Sequence, residues 1–121
     1  MAKDSIKQDP FENWTIQVRK GVLELCILNT LEAGEYYGYE LVKRVLSIPG
    51  LGVSEGTIYP LLARLKAQGL LHTRLVESNA GPARKYYALT VDGRRLVKLM
   101  NDYYTALNRG VIKLRKEGNT K

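Results

Sequence analysis

Cysteine, histidine and long apolar runs are what this sequence has least of. Cys26 and His72 each stand alone among 121 residues. One cysteine permits no internal disulfide and no Cys-rich metal site, which suits a reducing compartment and argues against redox chemistry. Cys26 lies in the most apolar helical stretch, where a thiol acts as a small packing residue. The single imidazole has no cysteine or carboxylate at metal-ligand spacing, no Gly-rich phosphate loop is present, and no convincing Ser/His/Asp arrangement can be built around it. The expectation is a protein that is not an enzyme, with no catalytic residue, no metal and no cofactor. No stretch reaches the roughly 18 apolar residues of a membrane span, and the polar start "MAKDSIKQDP" lacks the apolar segment of a signal peptide. A cytoplasmic protein without a membrane partner is therefore expected.

Acidic residues are scarce in one half only. Residues 1–61 hold six Lys/Arg against eight Asp/Glu, whereas residues 62–121 hold thirteen against four, which concentrates the formal net charge of +7 in the C-terminal half. Such asymmetry fits a surface facing a polyanion, although a solvated basic face without a partner has the same composition. At 121 residues, 45% of them apolar, the chain can bury one core of its own.

Residues 1–11 read as a polar arm. Asn13 is a candidate cap for a first helix through "WTIQVRKGVLELCILNTLEAG", stopped by Gly34. Trp14, Val18, Val22, Leu25 and Leu28 recur at spacings of three and four, so that helix is amphipathic at first and apolar nearly all round later. Leu41, Val42, Val45 and Leu46 mark a short second helix that ends before Pro49 and Gly50. Ser54 is placed to cap a third, "EGTIYPLLARLKAQ", terminated by Gly69, with Glu55 at the positive end of its dipole. "LLHTRLVES" and "ARKYYALT" read as two strands joined by the turn "NAGP". Thr90 or Asp92 can cap a long final helix.

In that final helix Leu96, Met100, Tyr103, Leu107, Gly110 and Leu114 alternate spacings of four and three, a coiled-coil-like seam, with Val97, Tyr104 and Val111 as a second stripe beside it. Two stripes on one helix need two surfaces, the chain's own domain and a partner. A homodimer is expected, with Trp14, Val18, Leu96, Met100, Tyr103, Tyr104, Leu107, Val111 and Leu114 at its interface. Trp14, Met100, Tyr103 and Tyr104 would then border a shared apolar space, which is either packed core or a cleft for a small planar aromatic effector. The element order defines the expected fold class: mainly α with a small β-hairpin wing, a winged helix-turn-helix domain plus a C-terminal dimerisation helix. The expected division is an arm at residues 1–11, the DNA-binding domain at 12–90, the dimerisation helix at 91–116 and a tail at 117–121.

The third helix raises a specific question, because Pro60 stands where a helix should be under way. At 100° per residue, Ile58, Leu61, Leu62 and Leu65 share one face, while Gly56, Pro60, Ala63 and Ala67 share the opposite one. A merely solvated face would carry Lys, Glu and Gln. A face of small residues rimmed by Thr57, Tyr59, Arg64 and Lys66 fits close approach to a polar surface such as the major groove of DNA. The proline ring presses on the carbonyl four residues back, which belongs to Gly56, the residue easiest to distort.

"YYGYELVKRV", "EGTIYPLLARLKAQGLL" and "GPARKYYALTVDGRRL" resemble, in that order and spacing, the signature blocks of the PadR family of bacterial transcriptional regulators. The short C-terminal extension resembles the subgroup with a single final helix. The resemblance implies a dimeric winged-helix repressor on a palindromic double-stranded DNA operator, with the third helix in the major groove and the wing near the adjacent minor groove. It also implies that the tyrosine of "IYP", Tyr59, contacts the DNA backbone, and that a small molecule can release the DNA.

DNA-binding candidates are thus Tyr37, Tyr39, Thr57, Tyr59, Pro60, Arg64, Arg84 and Lys85. Arginine can bond a phosphate or the O6/N7 edge of guanine, whereas tyrosine reaches phosphate through its hydroxyl. Tyr37 and Tyr39 are equally open to core packing, and Lys43 and Arg44 are weaker candidates. Arg84 and Lys85 follow the Gly-Pro tip of the wing, which suits cations beside the minor groove. Tyr86 and Tyr87 alternate across their strand, so one of them belongs to the core. The competing class is a basic winged-helix interaction module that binds RNA or an acidic protein.

Overall fold

The computed structural model describes residues 9–119, in the order α1 (Pro10–Glu32), β1 (Tyr36–Tyr37), α2 (Gly38–Leu46), α3 (Glu55–Ala67), β2 (Leu71–Ser78), β3 (Gly81–Leu89) and α4 (Val91–Asn119). Most of the arm, residues 1–8, lies outside the described residues.

The first helix starts earlier than the Asn13 cap would have it. Asp9 is the N-cap, its carboxylate accepting the Phe11 N–H at 3.3 Å, and Pro10 occupies the first helical position. Proline fits there because its missing N–H would have no intrahelical partner anyway. Asn13 already donates its own N–H to the Asp9 carbonyl.

Leu28, Leu31, Leu41, Val45, Ile58 and Leu62 meet at the centre of the domain, fully or almost fully withdrawn from water. Each such side chain contributes about 1.5–3 kcal/mol of burial. α3 runs through Pro60 without interruption. Ser54 holds the cap position, its carbonyl accepting the N–H groups of Thr57 and Ile58, but its hydroxyl makes no capping bond. The C-terminal end is a Schellman motif: Leu70 N–H reaches the Leu65 carbonyl, Gly69 N–H reaches that of Lys66, and Gly69 takes φ +78°.

The wing has three strands, in the order β1-β3-β2, all antiparallel. The expected hairpin is present, with one more strand, since Tyr36 pairs with Tyr87 and Tyr37 with Tyr86. Two residues are too few for a period-2 signature; their backbone pairing with β3 is what makes them a strand. β3 begins at Gly81 and so contains Pro82, which is tolerated because β1 covers β3 only at residues 86–87 and leaves this end of the strand open on that side. The ladder shifts register between Val76 and Ser78, next to the tip.

Thr90 caps α4. Its hydroxyl donates to the Gly69 carbonyl at 2.6 Å and accepts the Gly93 N–H at 3.0 Å. Gly93 is required by close approach, because a Cβ there would collide with the Leu70 carbonyl. Val97 enters the core, and Leu96 and Met100 pack against it. One turn on, the amides of Asn29 and Asn101 bond reciprocally at 2.9 and 2.7 Å. Beyond Asn101 the helix leaves the domain, and of its residues up to Asn119 only Ile112 is not exposed.

Candidate nucleic-acid interface

α3 carries its buried stripe, Ile58, Leu62 and Leu65, against the core, and therefore turns Gly56, Pro60, Ala63 and Ala67 outward, all exposed. The rim of this face is asymmetric. Tyr59 stands on the side of the sheet and of α2. Its phenol is pushed above the usual tyrosine range, first by partial burial, then by the Glu55 carboxylate and by the neighbouring Tyr37 and Tyr39. Thr57 and Arg64 stand on the opposite rim, both exposed. The Arg64 guanidinium donates to Glu24 of α1 at 3.1 Å and to Gln68 at 3.4 Å. Both partners of the Arg64–Glu24 bridge are partly solvated, so it contributes at most about 1 kcal/mol and is cheap to exchange for another anion.

The wing contributes a second group of side chains. Across the sheet Tyr37 of β1, Tyr86 of β3 and Arg74 of β2 are successive neighbours on the outer face, because Tyr37 is paired with Tyr86 and Arg74 is paired with Tyr86 from the other side. The Tyr37 and Tyr86 rings lie 5.9 Å apart. Arg74 passes over the Tyr86 ring at 5.4 Å and reaches both oxygens of Glu35 at 2.6 Å, strapping β2 to the segment before β1. That contact holds the Glu35 carboxyl below the usual glutamate range and raises Arg74. Arg84, two residues from Tyr86 on the same face, sets its guanidinium 4.9 Å over the Tyr37 ring. Tyr37 neighbours Tyr39 at 6.3 Å, and Lys43 sits 5.4 Å over the Tyr39 ring. Tyr87, on the other face, is the core member of the tyrosine pair.

The structure therefore brings Tyr37, Tyr39 and Tyr59 together, with Arg84 on Tyr37. Lys85 is exposed opposite Leu75 on the face that Tyr87 shares. Arg64 and Thr57 lie across the small face of α3 from this cluster. Sequence reasoning missed Arg74 and Glu35 altogether. They are 39 residues apart, and no local pattern joins them.

A separate apolar groove of about 500 Å³ runs between α1 and α4, lined by residues that include Val18, Val22, Leu25, Met100, Tyr103 and Tyr104. Trp14 is outside this lining and stacks instead on Phe11, the ring centres 6.3 Å apart. Further along α4, Tyr103 is 71% exposed and Leu114 70%. Leu107 and Val111 are exposed as well, whereas Leu96 is half-buried by its own domain.

Three helices, a three-stranded antiparallel wing and an outward-facing third helix define a winged helix-turn-helix domain, a class that commonly binds DNA. The comparisons with known proteins narrow the class. Residues 27–99 match the PadR-like family of transcriptional regulators. The transcriptional regulator Rv3488 of Mycobacterium tuberculosis is 39% identical over 80 residues, which cover 64% of this chain and 71% of that protein. A PadR-like transcriptional regulator of Bacillus cereus superposes with a TM-score of 0.73 at 39% identity, over 81% of this chain and 95% of the other. Bacillus subtilis PadR, whose structure is of a complex with operator DNA, superposes with a TM-score of 0.57 at 28% identity, over 64% of this chain and 44% of that one. This chain belongs to the PadR-like family. It is a transcriptional regulator with a winged-helix DNA-binding fold, and its relatives are regulators rather than enzymes.

Proposed function

We propose that this protein is a cytoplasmic repressor that binds a palindromic operator as a homodimer, one α3 in each of two successive major grooves. The observation that carries this reading is the exposed face of Gly56, Pro60, Ala63 and Ala67, bounded by Tyr59 on one side and Arg64 on the other. Small side chains let the helix backbone approach base edges, and the rims supply a phosphate-seeking hydroxyl and a cation. Thr57 adds a second hydroxyl at the N-terminal turn. Arg64 is bridged to Glu24 and can exchange that weak contact for guanine or phosphate. Arg84 and Lys85 follow the wing tip and fit the adjacent minor groove or its phosphates.

The distal half of α4 supports the dimer. Tyr103, Tyr104, Leu107, Val111 and Leu114 would cover one another and the α1–α4 groove when a second copy is added. Where the partner copy does not fill that groove, a planar aromatic effector would be admitted beside Tyr104 and Met100. By wedging the α4 helices it would alter the separation of the two α3 helices, so effector and operator would oppose each other reciprocally. Among the described residues no helix is long and apolar enough to cross a membrane.

The RNA alternative finds less support. Unpaired bases stack on free aromatic faces, and here Arg84, Arg74 and Lys43 each lie over the rings that would have to receive them. Competition among duplex DNA, single-stranded RNA and an acidic protein tests the class. Duplex should win, and fragments selected from the host genome should share an inverted repeat. Preference for either competitor overturns the reading.

A further inference from the structure

We propose that Tyr37 is a positioning residue whose ring, not its hydroxyl, serves DNA binding: it holds the Arg84 guanidinium in place on the wing before DNA arrives. The proposal rests on the DNA-binding reading and deepens it.

The geometry is built from three strands. Tyr37 and Tyr86 are direct cross-strand partners, and Arg84 is the same-face neighbour of Tyr86, diagonal to Tyr37. At 4.9 Å from the ring centre, the guanidinium lies within the range in which a cation is attracted by the negative π-face. The ring itself is fixed from two sides, by Tyr86 at 5.9 Å and Tyr39 at 6.3 Å. Tyr86 in turn lies under Arg74, which Glu35 grips through both carboxylate oxygens. Glu35, Arg74, Tyr86, Tyr37 and Arg84 thus form one continuous chain of contacts across the outer face of the sheet, the two rings tilted at 41° to each other. Lys43 over Tyr39 repeats the device on the adjacent ring.

Ordering Arg84 this way matters because a free arginine loses rotamer freedom when it binds phosphate. A guanidinium already parked on a ring loses less, and it keeps its N–H edge for an anion while its face is covered. The same contacts put a cation over each ring where an unpaired base would stack, which favours a duplex backbone as the ligand. A role for the Tyr37 hydroxyl on phosphate is the direct competitor, and the two differ at one atom.

The test uses the full chain and a labelled mixed-sequence duplex of about three helical turns, titrated at several salt concentrations. Arg84→Ala should weaken binding about three- to tenfold and lower the salt slope by about one phosphate contact. Tyr37→Phe, which keeps the ring, should bind within about twofold of the parent. Tyr37→Leu should lose about as much as Arg84→Ala, and the double variant no more than either alone. Independently of DNA, the Arg84 Nε–H resonance should be ring-current shifted in the parent and in Tyr37→Phe, and return to its ordinary position in Tyr37→Leu. Thermal melts identify a Tyr37→Leu chain that has simply unfolded, in which case the Tyr37→Phe titration and the parent resonance decide. Loss on Tyr37→Phe equal to the loss on Arg84→Ala would assign the work to the hydroxyl and overturn the proposal, as would additive losses or an unshifted Arg84 resonance. A parent protein that ignores duplex DNA would instead bring down the function reading itself.

Discussion

The two ends of this molecule expose side chains for opposite reasons. At the wing, α2 and α3, the exposed groups are mainly polar, charged or small, Leu75 and the tyrosines aside, and four of the cations are held by a neighbour: Arg64 by Glu24, Arg74 by Glu35, Arg84 by Tyr37 and Lys43 by Tyr39. Along α4 past Asn101, Tyr103, Tyr104, Leu107, Val111 and Leu114 form an exposed apolar and aromatic stripe beside exposed charged residues such as Arg109, Lys113 and Arg115. Polar groups gain from water or an anion, so the first surface is stable as it stands. A helix of about 27 Å with an apolar stripe is not, because its own domain leaves that stripe open to water: Tyr103, Tyr104 and Leu107 border the open α1–α4 groove, and Val111 and Leu114 are exposed beyond it. The first surface is arranged to meet a ligand, the second to meet another helix.

Truncation after Asn101 should separate these roles most sharply. The shortened chain keeps the core and the Asn29–Asn101 amide pair but loses the distal stripe. It should sediment as a monomer, and its affinity for a two-half-site operator should fall by about 10²- to 10⁴-fold, the contribution of linking two binding modules. A full-length chain that is monomeric at micromolar concentration would break the comparison at its root.

Two leucines sharpen it next. Leu62 is fully buried and Leu114 70% exposed. Leu62→Ala should cost about 2–5 kcal/mol in denaturant unfolding. Leu114→Ala should leave unfolding of the truncatable domain unchanged and raise the dimer dissociation constant measured by sedimentation.

Within the DNA-facing surface, Arg64→Ala should cost about 1–3 kcal/mol, mainly on the selected operator, if its guanidinium reads guanine, whereas Lys85→Ala should weaken every duplex and lower the salt slope by about one. Equal weakening of specific and random DNA by Arg64→Ala would make it a phosphate anchor. Fluorescence anisotropy at several salt concentrations reads both.

The smallest effect belongs to the strap on the wing. Glu35 is depressed in the folded state by Arg74, so its contribution is present above the ordinary glutamate value and is lost as pH falls through the folded one. Melting temperatures of the parent and Glu35→Gln should differ slightly at neutral pH and converge in acid. A gap that persists at low pH would detach the strap from stability.

Much of this was legible locally. Spacings of three and four located the helices, Gly69 fixed the end of α3, and the small face from Gly56 to Ala67 needed only helical geometry. α1 starts at the Asp9–Pro10 pair rather than at Asn13, and that cap signal is present locally in "QDPFE". β1 carries no such local signal, since two residues have no period and are a strand only through β3.

The sequence by itself determined where the chain is apolar, where it turns and which residues share a helix face, because each follows from side-chain chemistry within a few residues. It also determined the twin stripes of α4, but not where the own domain stops covering them; that boundary at Asn101 lies where α1 and α4 part and leave the open groove between them. Only the tertiary structure decided which cation meets which ring. Glu35 and Arg74, or Tyr37 and Arg84, are tens of residues apart, and their encounter depends on the register of three strands, in which a shift of one residue would move every side chain to the other face.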